Sequence, residues 1–204
     1  MSSSDCNICT ITCFNKTINK YYDPAYGEPA QGRFQLPETK LLSEKYIKEA
    51  LAKGKTKAEA NEEANIKIRP TTEGIDVPDN AYNDGANILQ AKDILAQLSK
   101  KNEPFFFAVG IAKPHLPFVA PKKYWDLYDP NSITLPENST FPESAPQRAN
   151  HKWGELRSYI DIPKSGPVSD AIAKKLIHGY YASVSYVDAQ IGVLIEGLTE
   201  LGLR

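Results

Sequence analysis

Cysteine is scarce in this chain and poorly placed for crosslinking. The 204 residues hold three, Cys6, Cys9 and Cys13, all near the start. An odd count implies no closed disulfide framework. The spacing Cys-x-x-Cys-x-x-x-Cys suits a metal or cluster, but only three sulfurs are present and no His lies nearby, whereas such sites usually take four ligands. The reading there is against a metal. An excess of one charge is also lacking: 24 Lys and Arg against 25 Asp and Glu leave −1. That balance gives no global attraction to nucleic acid or acidic lipid, so nucleic acid is not an expected partner. No apolar run approaches the ~20 residues that span a bilayer, and no membrane span is expected. Met1-Ser2-Ser3-Ser4-Asp5 offers neither a basic n-region nor an apolar h-region, so no secretory signal is read. What remains is the composition of an ordinary globular chain, 41% hydrophobic and 24% charged, long enough for one domain or somewhat more.

The most informative stretch runs from Glu103 to Phe118. Phe105 to Ala112 carries no polar side chain and does not alternate. An aromatic and β-branched run of this kind reads as a strand buried on both faces, as in the parallel sheet of an α/β domain. Lys113, Pro114 and His115 follow at once. Pro114 cannot donate to a sheet ladder, so pairing should stop there, and it biases Lys113 toward extended geometry. Residues two apart in an extended chain share a side, so Lys113 and His115 should project together from the strand's carboxyl end, where open α/β sheets bind ligands. A cation beside an imidazole suits an anionic substrate. The plainer reading, that both are ordinary loop residues at the end of a strand, stands beside it.

Around this stretch the chain alternates helix and loop. Tyr21 to Pro37 is loop chemistry, rich in Pro and Gly. Glu38 to Lys67 is helical and is interrupted at Gly54. Thr56 and Glu59 form a predicted capping box for a second helix, Lys57 to Lys67. Its dense charge reads as a solvated face in preference to a partner site. Arg69 to Asp84 is a loop. Asp79 and Asp84 could be metal-binding carboxylates, but Asp84 before Gly85 reads better as a helix cap. A helix over 85–101 follows, with Ile88, Leu89, Ala91, Ile94, Leu95 and Leu98 facing inward. It leads directly into the apolar run, and such helix-then-strand units build layered α/β folds. Pro117 to Gly166 is a long, mostly irregular connection with a helical turn over 122–128, and loops of that length are often pocket walls. Arg157 within it could contact a negatively charged sugar; a plain Glu155–Arg157 surface pair is the alternative. Ser169 then caps a long helix to about Leu201. Its apolar stripe is Ile172, Leu176, Tyr180, Val184, Val187, Ile191, Leu194, Leu198 and Leu201, with Gly202 as the stop. His178, on that helix, reads as structural. Asn15-Lys16-Thr17 and Asn138-Ser139-Thr140 fit the glycosylation sequon, which matters only in a eukaryotic secretory setting.

Three blocks together carry a resemblance. They are Asp76-Val77-Pro78-Asp79-Asn80-Ala81-Tyr82-Asn83-Asp84-Gly85, the run from Phe105 through Lys113-Pro114-His115 to Tyr128, and His178-Gly179-Tyr180-Tyr181-Ala182-Ser183-Val184-Ser185-Tyr186-Val187-Asp188-Ala189-Gln190-Ile191-Gly192. In content, order and spacing they resemble the sulfatase family, in its iduronate-2-sulfatase-like branch, over about residues 71 to 203. The resemblance implies an α/β fold: part of an alkaline-phosphatase-like sandwich, a mostly parallel sheet flanked by helices, incomplete in this chain. Residues 1–37 would be a poorly defined N-terminal segment and 38–204 the central part of the catalytic domain. It implies hydrolysis of sulfate esters of a sulfated carbohydrate, with a formylglycine nucleophile made from Cys or Ser and a divalent cation, usually Ca2+. Lys113 would contact sulfate oxygens, and His115 would contact the sulfate and help protonate the leaving alkoxide. Family members are usually periplasmic, secreted or lysosomal.

The departures from the family pattern are specific. No Cys begins a Cys/Ser-x-Pro/Ala-x-Arg motif; Cys13-Phe14-Asn15-Lys16-Thr17 lacks both the Pro/Ala and the Arg. The paired aspartates after the family's first strand and the Asp-His-Gly segment after its long helix are absent. No metal ligand is therefore assigned here. The expectation is a central fragment of a sulfatase, one wall of the site, inactive alone. Two alternatives are a phosphate or phosphonate ester hydrolase of the same superfamily and a non-catalytic module that binds sulfated glycans.

Overall fold

The computed structural model describes residues 11–13 and 16–18 as backbone, and residues 34–101, 103–138, 140–149 and 154–204 with their side chains. The side chains of Cys6, Cys9 and Cys13, the Asn15 sequon and Trp153 lie outside the described residues.

Local chemistry sets the helix ends. Helix α1 (Pro37–Ala52) opens on a proline, whose missing N–H would be unpaired there anyway. Gly54, at φ +82°, turns the chain. Helix α2 (Lys57–Ile68) has the predicted capping box: the Thr56 hydroxyl accepts from the Glu59 N–H at 3.3 Å, and the Glu59 carboxylate accepts from the Thr56 N–H at 2.8 Å. After strand β3 (Thr72–Glu73) comes helix α3 (Asn83–Leu98). Strands β4 (Phe107–Ala108) and β5 (Phe118–Val119) and the short helix α4 (Lys122–Trp125) follow. Helix α5 (Asp170–Glu200) is capped by the Ser169 hydroxyl, which accepts from the Ile172 N–H at 3.4 Å, and its last turn is closed near Gly202 at φ +65°.

The parallel pairing expected of an α/β fold is formed by β3 and β5, with Thr72 opposite Phe118 and Glu73 opposite Val119. The ladder continues past both strands, through Ala120 N–H to Glu73 O at 3.2 Å and Lys122 N–H to Ile75 O at 2.7 Å. Helix α5 packs over this pair at Gly179, where an added Cβ would lie 2.9 Å from Phe118 Cβ and from the Trp125 ring. The core holds Phe34, Ile68, Tyr82, Val119, Ala120, Tyr124, Ala182 and Tyr186. Glu73 is buried among them. Its carboxylate accepts from the N–H groups of Gln35 and Leu36 at 2.5 and 3.1 Å and from the Tyr82 hydroxyl at 2.9 Å, so no lone charge is left in the interior. Burial, then the Glu73 charge, pushes the Tyr82 phenol far above its ordinary range, which keeps it a donor.

Two expectations need correction. The run from Phe105 to Ala112 is not buried on both faces. Only Phe107 and Ala108 form a strand, and it pairs antiparallel with β1 (Ile11–Cys13), itself paired with β2 (Lys16–Ile18). In the order β2-β1-β4 the strand lies at an edge, with one side lacking a neighbouring strand among the described residues, and Phe106 is 59% exposed. The most deeply buried face of α5 is also not its apolar stripe, of which Ile172, Leu176, Val187, Leu194, Leu198 and Leu201 are only half-buried. Gly179, Ala182, Ser183, Tyr186, Gln190 and Gly197 are buried, while Tyr180, Val184 and Ile191 are exposed. Small residues let the backbone approach closely, and hydrogen bonds from Tyr186 and Gln190 decide the rest. Among the described residues no helix is long and apolar enough to cross a membrane.

Candidate functional site

Lys113 and His115 occupy a tight turn beyond β4. The chain there is not extended as expected: the His115 N–H bonds back to Ala112 O at 3.0 Å. The peptide bonds before Pro114 and Pro117 are both cis. The turn still gathers the two residues, because the Lys113 ammonium donates to His115 O at 3.0 Å. The imidazole has a defined tautomer. Nδ1 lies 2.7 Å from Leu116 O, and a carbonyl can only accept, so Nδ1 carries the hydrogen. Nε2 is therefore the nitrogen that takes up or releases a proton. It sits 3.7 Å from Glu155 Oε1, an ion-pair distance and longer than a hydrogen bond, with the His115 side chain 47% exposed.

Asp84 holds this turn from beneath. Its two carboxylate oxygens accept from consecutive backbone amides, Ala112 N–H at 3.0 Å and Lys113 N–H at 2.9 Å. The reading of Asp84 as a helix cap is thereby overturned. It lies inside the first turn of α3, the preceding Tyr82 makes no side-chain cap, and the carboxylate faces a loop 28 residues away. Gly85 explains how it reaches. A Cβ at Gly85 would fall 2.1 Å from Asp79 O and 2.7 Å from the Tyr186 hydroxyl, so only glycine admits this approach. The Tyr186 hydroxyl accepts from the Gly85 N–H at 2.7 Å and donates to Asp79 O at 2.7 Å. Burial pushes this phenol far above its usual value, which preserves the proton the second bond needs.

Asp79, the other acidic residue singled out from the sequence, is tied up by protein donors. Tyr124 and Gln190 donate to its Oδ2 at 2.7 and 2.9 Å, and the Lys123 ammonium lies 2.7 Å from Oδ1. Burial, reinforced by the bond to Asp79, raises the Tyr124 phenol to about 12. Its own bond to Asp79 pushes the Lys123 ammonium upward.

Glu155 is brought to His115 by the end of the long connection. Asp161 accepts from both the N–H and the hydroxyl of Thr71, at 2.9 and 2.6 Å, and the Ile160 N–H bonds Arg69 O at 3.1 Å. The Arg69 guanidinium lies over the Tyr159 ring at 4.4 Å and donates to the Ser158 hydroxyl. These ties fix the 3-10 turn Leu156–Ser158 that Glu155 opens. Arg157 is turned elsewhere and donates to Pro163 O and Gly166 O at 2.8 and 2.6 Å, so neither half of a Glu155–Arg157 pair forms as read. His178 packs on Trp125, with Nε2 2.9 Å from Trp125 O, a structural placement. Asp84 and Glu155 were both singled out from the sequence but given the wrong partners. No local pattern marks either pairing, because each partner is distant along the chain.

The class of protein defined here is a layered α/β one, with short parallel pairing, packed helices and a histidine turn beyond a strand. A family model described as Sulfatase matches residues 12–204, and the chain belongs to the sulfatase family. It is 35% identical to iduronate 2-sulfatase of Homo sapiens over 135 residues, 63% of this chain and 24% of that protein. It is 29% identical to choline-sulfatase of Rhizobium meliloti (strain 1021) over 123 residues, 58% of this chain and 23% of that protein. Arylsulfatase of Clostridium perfringens (strain 13 / Type A) is 28% identical over 101 residues, 50% of this chain and 20% of that protein. The chain thus spans about a quarter of the length of the curated relatives it matches.

The family implies Ca2+ and formylglycine, and the donor set described here does not fit a cation. Among the described residues no group of three or more His, Cys, Asp or Glu could hold a metal. The buried carboxylates Glu73 and Asp84 and the half-buried Asp79 each already accept from protein donors.

Proposed function

We infer that this chain forms one wall of a sulfuric ester hydrolase acting on a sulfated sugar or polysaccharide. His115 meets the sulfate ester through Nε2 and passes a proton to the leaving alkoxide. Lys113 adds positive charge to the turn, and Arg157 is a peripheral contact for an acidic sugar. The nucleophile and the cation ligands come from polypeptide outside these 204 residues. The observation that carries this reading is the fixed tautomer of His115. With Nδ1–H held by Leu116 O, the exposed Nε2 is the nitrogen that can give up a proton when the ring is the imidazolium, leaving the Nδ1–H tautomer, and proton transfer from a positioned side chain is worth about 10²–10⁴-fold in rate. Glu155 Oε1 stands 3.7 Å from that nitrogen.

The test compares the 204-residue chain with a longer polypeptide that contains it, both with calcium and a sulfated sugar. The short chain should give no turnover. The long one should turn over and lose about 10²–10⁴-fold on His115→Gln. Robust turnover by the short chain alone, or an unchanged rate in His115→Gln, overturns the reading.

A further inference from the structure

We propose that Asp84 is the positioning residue of the His115 turn: its carboxylate, by accepting from the Ala112 and Lys113 amides together, sets the direction of the imidazole. The assignment rests on the preceding reading of His115, although the clamp itself does not. Three observations carry it. Asp84 is 3% exposed, and a buried carboxylate is strongly disfavoured unless it is matched by donors. Its oxygens take one amide each, at 3.0 and 2.9 Å, on the two residues that lead into Pro114. This geometry fixes the plane of the chain as well as its position. The His115 N–H then closes on Ala112 O, one of the two clamped residues, so clamp and turn share an atom group.

The clamp is itself anchored. Asp84 is followed by Gly85, whose N–H is held by the Tyr186 hydroxyl, and that hydroxyl also donates to Asp79 O. A continuous line of hydrogen bonds therefore runs from α5 through the start of α3 to the residues before His115. A contrasting carboxylate, Asp161, clamps Thr71 in the same two-bond fashion; it helps set the Glu155 turn but makes no bond to the Ala112 or Lys113 amides. The pair separates positioning from bulk stability.

The experiment uses the 15N-labelled 204-residue chain, its Asp84→Asn variant and Asp161→Asn as control. Asparagine keeps the shape but turns one acceptor into a donor, so one amide loses its partner. Hydrogen exchange at whichever of Ala112 and Lys113 faces the new amide should accelerate roughly ten- to hundredfold in Asp84→Asn, as expected for loss of a bond to a charged acceptor, and both should stay unchanged in Asp161→Asn. The ring 15N shifts of His115 should report the Nδ1–H tautomer in the unaltered chain and a mixture of tautomers in Asp84→Asn only. Unchanged exchange, or an unchanged tautomer despite faster exchange, overturns the proposal. Should Asp84→Asn fail to fold, scalar couplings across the two hydrogen bonds in the unaltered chain decide it, and their absence overturns the clamp. Titration with inorganic sulfate separates this proposal from the functional reading. If the unaltered chain shows the clamp and the tautomer but no sulfate-dependent shift at His115, the sulfate contact fails and the positioning role stands.

Discussion

Helix α5 has two faces that sequence and structure rank in opposite order. The apolar stripe, the stronger pattern in the sequence, includes Val184 at 42% exposure and Ile191 at the same value. The face that docks is built from Gly179, Ala182, Ser183, Tyr186 and Gln190, and Tyr186 is fully buried. The docked face owes its burial to two things a hydropathy pattern does not weigh. Gly179 admits Phe118 and Trp125 to contact distance, and Tyr186 and Gln190 satisfy Asp79 and Gly85. Apolar periodicity says that a face gains from cover. It does not say which neighbour covers it.

The comparison can be broken at its strongest point first. Gly179→Val places a side chain where even a Cβ would lie 2.9 Å from Phe118 Cβ. Overpacking of this kind should cost about 3 kcal/mol, read by urea denaturation of the chain. Next, Tyr186→Phe keeps the ring and removes the hydroxyl that bridges Gly85 and Asp79. It leaves a buried N–H unpaired and should cost about 2 kcal/mol. On the opposite face, Val184→Ser should fall within about 0.5 kcal/mol of the unaltered chain. A Val184→Ser loss larger than that of Tyr186→Phe would reverse the ranking of the two faces.

The smallest effect lies away from α5. Hydrogen bonds from Lys55 first, then Lys67, at 2.5 and 2.6 Å, lower the Glu63 carboxyl to about 2. A folded value depressed below the ordinary 4.5 contributes stability above that ordinary value. The contribution is lost as pH falls toward 2. A carboxyl-detected NMR titration should place the midpoint near 2, and Lys55→Met should move it up. A midpoint unmoved by Lys55→Met would show that this ion pair does not persist in solution.

How much was legible follows the reach of each interaction. The Thr56–Glu59 box and the Ser169 cap were readable because each partner lies three residues away. The stop at Gly202 was readable for the same local reason. The parallel pairing of an α/β fold was correct as a class, but the strand chosen for it was not: β3 and β5 carry it, and the Phe-rich run lies at an edge. Lys113 and His115 were singled out by residue type and resemblance, and one turn gathers them. Asp84 was seen and given the wrong partner, since nothing near it in sequence reveals amides 28 and 29 residues on. Glu155 was paired with Arg157 two residues away, when its neighbour in space is His115.

Tyr186 and Gln190 stand one helical turn apart and both reach Asp79. An α-helix advances about 1.5 Å and turns about 100° per residue, so no small slide or roll of α5 can satisfy both contacts in a new alignment. The long helix therefore works like a key seated at a single notch. Deleting or inserting one residue between Tyr186 and Gln190 would misalign the latch entirely, whereas the same edit beyond Gly197 would leave it engaged.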